Sequence, residues 1–473
     1  MNIILIVSDS LRADHVRVYQ QLWREQNPNG GPPIAPYFQM HTPHLDRLAS
    51  EGVLFERAHA GSYATVPNRY ELLTGRFVCT YTAGWEPLPA HEIVLAQALG
   101  DAGYGSMFIF DTPNLLRDGY HFDRGYDAWH WIRGQEGDRY RTAPVHVELP
   151  CAPEKLRTNP RYPDGTVVQY LRNVANRRHE EDYFAPQTFG TAIRWLEENA
   201  SRDRFFLHID TFDPHEPWDP PSRYVDLYDP GYTGEEVIYP RYGSTDVLSD
   251  AELHHCRALY AAEVTMVDRW VGKLLQAVDD LGLRENTAIF FLADHGFVLG
   301  EHGWIGKGTF PLYEVLNHVP LLMRIPGMPE GQVISAYAQA ADLMPTILDL
   351  SGVANPGTLQ GQSLLPVLRG DVEHVREVCV STTSLVTPAS QGSAQAGLRT
   401  MIQRPGWAML YGPHAEPRLF DTANDPGQEH NVYDSQPEIA RELHAAFVSF
   451  LREVQAPETA IGPIASDERF RVT

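Results

Sequence analysis

The sequence predicts an α/β fold in which a large, mainly parallel sheet is sandwiched by helices, with a small C-terminal α+β subdomain. Three observations predict it. Three apolar runs each end in an acidic residue, the pattern of a buried parallel strand with chemistry at its carboxyl end. Helical periodicity lies between these runs, and alternation of strand with helix marks a parallel sheet. Beyond about residue 370 the pattern changes to short strand-like pieces and one amphipathic helix.

In chain order, Asn2–Val7 leads into Ser8-Asp9-Ser10 and reads as the first buried strand. It lacks the basic start and longer apolar stretch of a secretory signal. Pro43–Glu51, His91–Ala102 and Thr188–Asn199 have helical patterns. Phe205–Asp210 leads into Asp213-Pro214-His215, and Ala288–Ala293 leads into Asp294-His295-Gly296; both read as strands. Between them the longest helix is expected over Ser249–Leu281, with Leu259, Val264, Met266, Val267, Val271, Leu274, Leu275 and Val278 as its apolar positions. Residues 130–185, rich in Arg, Pro and Glu, read as an inserted excursion. The main domain is placed at 1–370 and the subdomain at 371–456. The subdomain contains strands near Val378–Val380, Thr400–Ile402 and Trp407–Tyr411, a turn at Asp425-Pro426-Gly427, and a helix over Pro437–Val454. Residues 457–473 are expected to form a polar arm.

Lys and Arg total 38 against 61 for Asp and Glu, a net charge of −23. Such a chain repels nucleic acid and anionic membrane surfaces, so neither is an expected partner. No apolar stretch approaches the roughly 18–20 residues of a membrane span. The four cysteines, Cys79, Cys151, Cys256 and Cys379, are widely spaced and form no metal or redox pair, which suggests reduced thiols and a cytoplasmic setting. The excursion and the arm leave a homo-oligomer open.

Four segments carry the chemistry: Asp9-Ser10-Leu11-Arg12-Ala13-Asp14-His15; Thr65-Val66-Pro67-Asn68-Arg69 with Leu72-Leu73-Thr74-Gly75-Arg76; Asp213-Pro214-His215-Glu216-Pro217-Trp218; and Asp294-His295-Gly296 with Gly300-Glu301-His302-Gly303 and Gly306-Lys307. A carboxylate at one strand end, an Asp-His pair at another and a hydroxyl at a helix start are hard oxygen ligands with an imidazole, suited to Ca²⁺, Mg²⁺, Mn²⁺ or Zn²⁺. Thr65 at a helix N-terminus feels the helix dipole, and Arg69 lies one turn along the same face. Taken singly, Thr65 reads as a helix cap and Asp9 as an ordinary strand-end carboxylate.

In this order, the four segments resemble type I sulfatases of the alkaline phosphatase superfamily, whose signature is Cys/Ser-x-Pro-x-Arg followed by Leu-Thr-Gly-Arg. The resemblance spans residues 3 to 431, including the stretch from Leu419 to Asn431. It implies a sulfuric or phosphoric ester hydrolase acting on a small anionic ester. Thr65 stands where the family carries the residue converted to formylglycine, and threonine has no route to that aldehyde. Thr65 becomes the candidate nucleophile, with Arg69, His302 and Lys307 as catalytic partners. Asp9, Thr65, Asp294 and His295 become metal ligands. The Lys-x-His pair that follows Ala-Gly-Tyr in single-metal sulfatases is missing here, and Thr112 and Asn114 in that segment are candidate substrate contacts along with His215. His318, in Asn317-His318-Val319-Pro320, replaces the usual Arg. It joins Asp213 and His215 as candidate ligands of a second ion, so two divalent ions are expected. The alternative is that His215 binds substrate and His318 is a structural strand residue.

The expected reaction is a double displacement through Thr65, with phosphate diesters or phosphonate monoesters slightly ahead of sulfate monoesters. The competing classes are a phosphoglycerate-mutase-like or headgroup-transferase enzyme and a non-catalytic sulfatase-like binding protein. His254 and His255 are expected at the surface and His44 in a structural role. Trp218, Tyr63, Tyr70 and Trp304 are expected to offer an aromatic wall to the leaving group.

Overall fold

The computed structural model of the 473-residue chain describes residues 1–27, 37–158, 165–307, 310–386 and 397–470. Its strands, in chain order, are β1 (Asn2–Ser8), β2 (Val53–His59), β3 (Gly105–Phe110), β4 (Ala128–Trp131), β5 (Phe205–Thr211), β6 (Gly243–Ser244), β7 (Thr287–Ala293), β8 (Val298–Leu299), β9 (Trp304–Gly306), β10 (Leu321–Arg324), β11 (Gln332–Gln339), β12 (Cys379–Thr382), β13 (Thr400–Arg404), β14 (Trp407–Tyr411) and β15 (Arg418–Asp421). The chain divides into two compact units. One comprises 1–54, 100–307 and 320–332; the other comprises 55–99, 308–319 and 333–473.

In the first unit the large sheet runs β10-β7-β1-β5-β3-β4. β1 is parallel to both β5 and β7, β3 is parallel to β5 and β4, and β10 is antiparallel to β7. The three apolar runs are therefore adjacent, and every residue of β1, β5 and β7 is buried. Continuous apolar sequence is what a strand covered on both faces requires. Register fixes the chemistry: Ser8 pairs with Thr211 on one side and Ala293 on the other. The next residues of all three strands thus leave the sheet at one edge, and the acidic residue of each run follows there.

The helix Asp250–Asp280 begins at Ser249 with a capping box, in which Ser249 Oγ accepts from Glu252 N and Glu252 returns the bond to Ser249 N. All eight apolar positions expected on this helix are buried. It packs against the helices Phe184–Asn199 and Pro43–Ser50. His44 has a structural role, because its backbone N–H donates to Asp268 and its ring fills the space a side chain at position 272 would need. His255 corrects the surface expectation: it is buried, faces Asp229 at 2.9 Å through Nδ1 and stacks on Tyr232. The 130–185 excursion begins at the end of β4, the strand at the sheet edge, and contains a helix, Thr166–Val174. Asn173 on that helix donates to the carbonyls of Gly134 and Asp138, tying the excursion to itself.

In the second unit, β12-β13-β14-β15 form an antiparallel sheet under the helix Pro437–Glu453. Ile402, Met409, Leu443, Phe447 and Leu451 build its core. The expected polar arm is instead part of that core. Glu458–Ala465 is a helix, and Ile461, Ile464 and Phe470 are buried with the others. Its apolar residues are too few for the sequence to announce a helix, and the burial is supplied by tertiary packing. The helix expected over His91–Ala102 begins only at Leu95, because Glu92 is drawn into a buried ion pair with Arg76 and a hydrogen bond from Tyr70. The four cysteines are free and buried. Among the described residues, no helix is long and apolar enough to cross a membrane.

Candidate active site

In the first unit the sheet edge brings together Asp9, Asp294 and His295, all fully buried, with ligand atoms within 4.8 Å of one another. Among the described residues this is the one group of three or more metal-type side chains. Backbone donors hold Asp294: the N–H groups of Ser10 and His295 donate to Oδ1 at 2.9 and 2.7 Å. His295 Nδ1 lies 2.9 Å from the Gly296 carbonyl, which only accepts, so Nδ1 carries the hydrogen. His295 Nε2 lies 3.3 Å from Asp294 Oδ2 and 3.9 Å from Asp9 Oδ1. Two carboxylates and an imidazole nitrogen gathered in a buried site suit a cation placed between them.

Lys307 and His215 border this group. Lys307 Nζ donates to Ser10 Oγ at 2.7 Å and lies 3.6 Å from Asp9 Oδ1, while Ser10 Oγ donates to the same carboxylate oxygen at 2.7 Å. Ser10 holds φ at 63° to do this, a conformation few non-glycine residues adopt. His215 Nδ1 donates to the Glu216 carbonyl at 2.6 Å. Burial, reinforced by the Lys307 charge, pushes the imidazole well below the usual histidine range, so it is neutral. Glu216 is a residue the sequence reading missed. It lies 3.4 Å from Arg157 and accepts from Tyr242, and Arg157 sits 4.0 Å over the Tyr242 ring. Arg157 comes from the excursion, so that segment supports the residue next to His215. The one available signal was the adjacency of Glu216 to His215.

Other expected residues take different partners. Both Asp213 oxygens are engaged, one accepting from Gln135 Nε2 at 2.9 Å and the other from Ala185 N at 3.1 Å. Burial raises its carboxyl to about 6. It stands outside the Asp9–Asp294–His295 group. Thr112 Oγ1 donates to Asp210 Oδ1 at 2.5 Å, and Asn114 Oδ1 accepts from Arg117 at 2.8 Å. His302 is half-buried at φ 53° on the loop whose Glu301 is ion-paired to Arg12. Trp218 is fully buried against Tyr260 and Phe297, so it is core and not an aromatic wall.

The second unit holds the candidate nucleophile. Thr65 is the first residue of the helix Thr65–Thr74, all ten residues of which are buried, Arg69 completely. Gly75 ends it in the left-handed conformation at φ 65°, its N–H donating to the Glu71 carbonyl. Tyr70 is buried in this helix and bonded to Glu92, so it too is structural. His318 Nε2 lies 2.8 Å from the Glu56 carbonyl, and its ring is stacked on His59.

Glu71 anchors the loop before Thr65. Its carboxyl accepts from Ser62 N at 2.6 Å and Ala341 N at 3.2 Å, and only glycine fits at position 61, where a Cβ would lie 2.1 Å from Glu71 Oε1. Burial pushes this carboxyl up from 4.5 to about 7. The folded chain therefore binds the proton more tightly than the unfolded chain. The group's stabilising contribution is complete below about pH 4.5 and is lost as pH rises to about 7. We expect Glu71→Gln, neutral at every pH, to gain about 3 kcal/mol relative to wild type between those pH values. Denaturant unfolding of both proteins across that range checks it; a constant difference would contradict the shift.

Comparison with known proteins agrees with this arrangement. A family model described as Sulfatase matches residues 1–353, and one described as the C-terminal region of N-sulphoglucosamine sulphohydrolase matches residues 300–453. The chain is 25% identical to an arylsulfatase of Clostridium perfringens over 97% of this chain and 94% of that one. In fold it is similar to the phosphonate monoester hydrolase of Agrobacterium radiobacter, with a TM-score of 0.73, 22% identity and coverage of 96% and 97%. It is also similar to a structure in complex with D-glucosamine-2-N,6-O-disulfate, with a TM-score of 0.71, 19% identity and coverage of 97% and 99%. With three quarters of the chain matched by the family, and with the strand-end Asp and Asp-His residues in place, the chain belongs to the sulfatase family of sulfuric and phosphoric ester hydrolases.

Proposed function

We propose that the chain hydrolyses phosphate diesters or phosphonate monoesters with Thr65 as nucleophile. The observation that supports this reading is a threonine buried at a helix N-terminus, in the segment that resembles the family's nucleophile motif. A formylglycine adduct leaves by elimination from an aldehyde hydrate. A threonine ester has no such exit and requires direct hydrolysis, which suits phosphoryl transfer.

A divalent cation held by Asp9, Asp294 and His295 would set positive charge against the transferring group and lower the pKa of a hydroxyl bound to it. The protein's own residues do the rest. Thr65 Oγ1, its proton passed to solvent water, attacks phosphorus in line with the leaving alcohol, and the helix N-terminus favours its alkoxide. A P–O bond forms to Thr65 as the bond to the leaving oxygen breaks, and that oxygen takes a proton from His302 or Lys307. Arg69 donates to the nonbridging oxygens. Water then attacks the Thr65 ester and returns the free hydroxyl. A second cation, with Asp213, His215 and His318 as its candidate ligands, would add to the positive charge of the first.

A second reading, sulfate monoester hydrolysis, is favoured by near full-length similarity to an arylsulfatase. Turnover of an aryl sulfate, a phosphate monoester, a phosphate diester and a phosphonate monoester, with Mn²⁺, Zn²⁺, Ca²⁺ or Mg²⁺ supplied, separates them. We expect the diester or the phosphonate to lead. Sulfate turnover dominant by orders of magnitude would reverse the order, and failure on all four would favour a binding protein.

A further inference from the structure

We propose that Asn68 is a substrate-binding residue whose side-chain amide donates a hydrogen bond to a nonbridging oxygen of the tetrahedral ester or its oxyanion product. The inference rests on the reading of Thr65 as the group that accepts the transferred moiety, and extends it to a residue that neither the family signature nor the mechanism above uses.

Asn68 is 1% exposed, and neither Nδ2 nor Oδ1 has a hydrogen-bond partner among the described residues. Its backbone N–H is already used, donating to the Ala64 carbonyl at 2.9 Å. A buried primary amide with both atoms unsatisfied is destabilising, and such groups are rare enough in folded proteins to call for a reason. An apolar side chain of similar volume would fill the same space without that cost. The position supplies the reason. On a helix, residues three and four apart share a face, and side chains lean back toward the N-terminus. Thr65, Asn68 and Arg69 occupy positions i, i+3 and i+4 of the helix Thr65–Thr74. The amide thus sits on the nucleophile's face, leaning toward the end of the helix where backbone N–H groups and the dipole favour an anion. With the Lys-x-His pair missing from the segment after Ala102-Gly103-Tyr104, a neutral donor at this place adds a hydrogen bond to the anion without adding charge.

The test uses inorganic sulfate and inorganic phosphate as probes, titrated calorimetrically into the full-length Thr65→Ala protein with and without a second change at position 68. Adding Asn68→Leu is expected to weaken oxyanion binding about tenfold while leaving the thermal midpoint unchanged or higher. Asn68→Asp, the same size but an acceptor with negative charge, is expected to weaken it further, and Asn68→Ser to recover part of the loss. If Asn68→Leu lowers the thermal midpoint and leaves both oxyanions bound as tightly as before, the amide is structural and the proposal falls. The nucleophile reading is tested apart from this: turnover retained by Thr65→Ala would remove that reading, while the binding comparison at position 68 would stand on its own.

Discussion

Replacing Thr65 by alanine is expected to lower turnover by at least about 10³-fold, because removing a covalent nucleophile leaves only binding and electrostatic stabilisation to accelerate the reaction. Thr65 is buried in a helix with all ten residues buried, and alanine is the best helix former, so the fold is expected to persist. Thr65→Ser keeps the hydroxyl and is expected to retain activity within about tenfold. The comparison is made on whichever ester the wild-type protein turns over best, with thermal unfolding as the control for folding. Equal rates for wild type and Thr65→Ala would end the nucleophile assignment. Equal loss in the alanine and serine variants would point to packing as the cause.

The second large effect is expected at Asp9. Asp9→Asn keeps the shape and a carbonyl oxygen for Ser10 Oγ to bond, but removes the charge facing His295 Nε2 and Lys307. A buried trio of two carboxylates and an imidazole that loses one carboxylate charge is expected to bind a divalent ion at least about 100-fold more weakly, with a comparable or larger loss of turnover. Metal analysis of purified protein checks this directly: about one equivalent in wild type and little in the variant. Thermal stability gives an independent readout. An ion that binds only the folded state, present at about 1,000 times its Kd, stabilises it by about 4 kcal/mol. Chelation should therefore lower the wild-type midpoint and leave Asp9→Asn nearly unmoved. A wild-type protein with no metal and no response to chelator would contradict the assignment, and two equivalents would support the second site.

The parts of the site that were legible in the sequence are those placed by backbone geometry alone. Asp9, Asp294 and His295 follow apolar runs, and a parallel sheet with register Ser8–Thr211 and Ser8–Ala293 brings them to one edge without help from any side chain. Residues whose role depends on a distant partner were not legible. Glu216 acquires its setting from Arg157 and Tyr242, and His255 is buried by Asp229 and Tyr232. Asp213 likewise takes partners distant in sequence: Gln135 and Ala185 donate to its oxygens. The C-terminal segment was misread because three buried side chains, Ile461, Ile464 and Phe470, are a weak signal along the chain yet enough to hold it against a core that exists only after folding.

The pairing of β1 with β7 has a consequence for the newly made chain. Ser10 and the Asp294 carboxylate it bonds are 284 positions apart. At about 5–20 residues per second, roughly 15 to 60 seconds pass between synthesis of the first and the last of the three cation-binding side chains. Throughout that interval the ribosome-bound chain carries Asp9 with neither Asp294 nor His295 to join it. The three candidate ligands can therefore first meet only after residue 295 of 473 has been added.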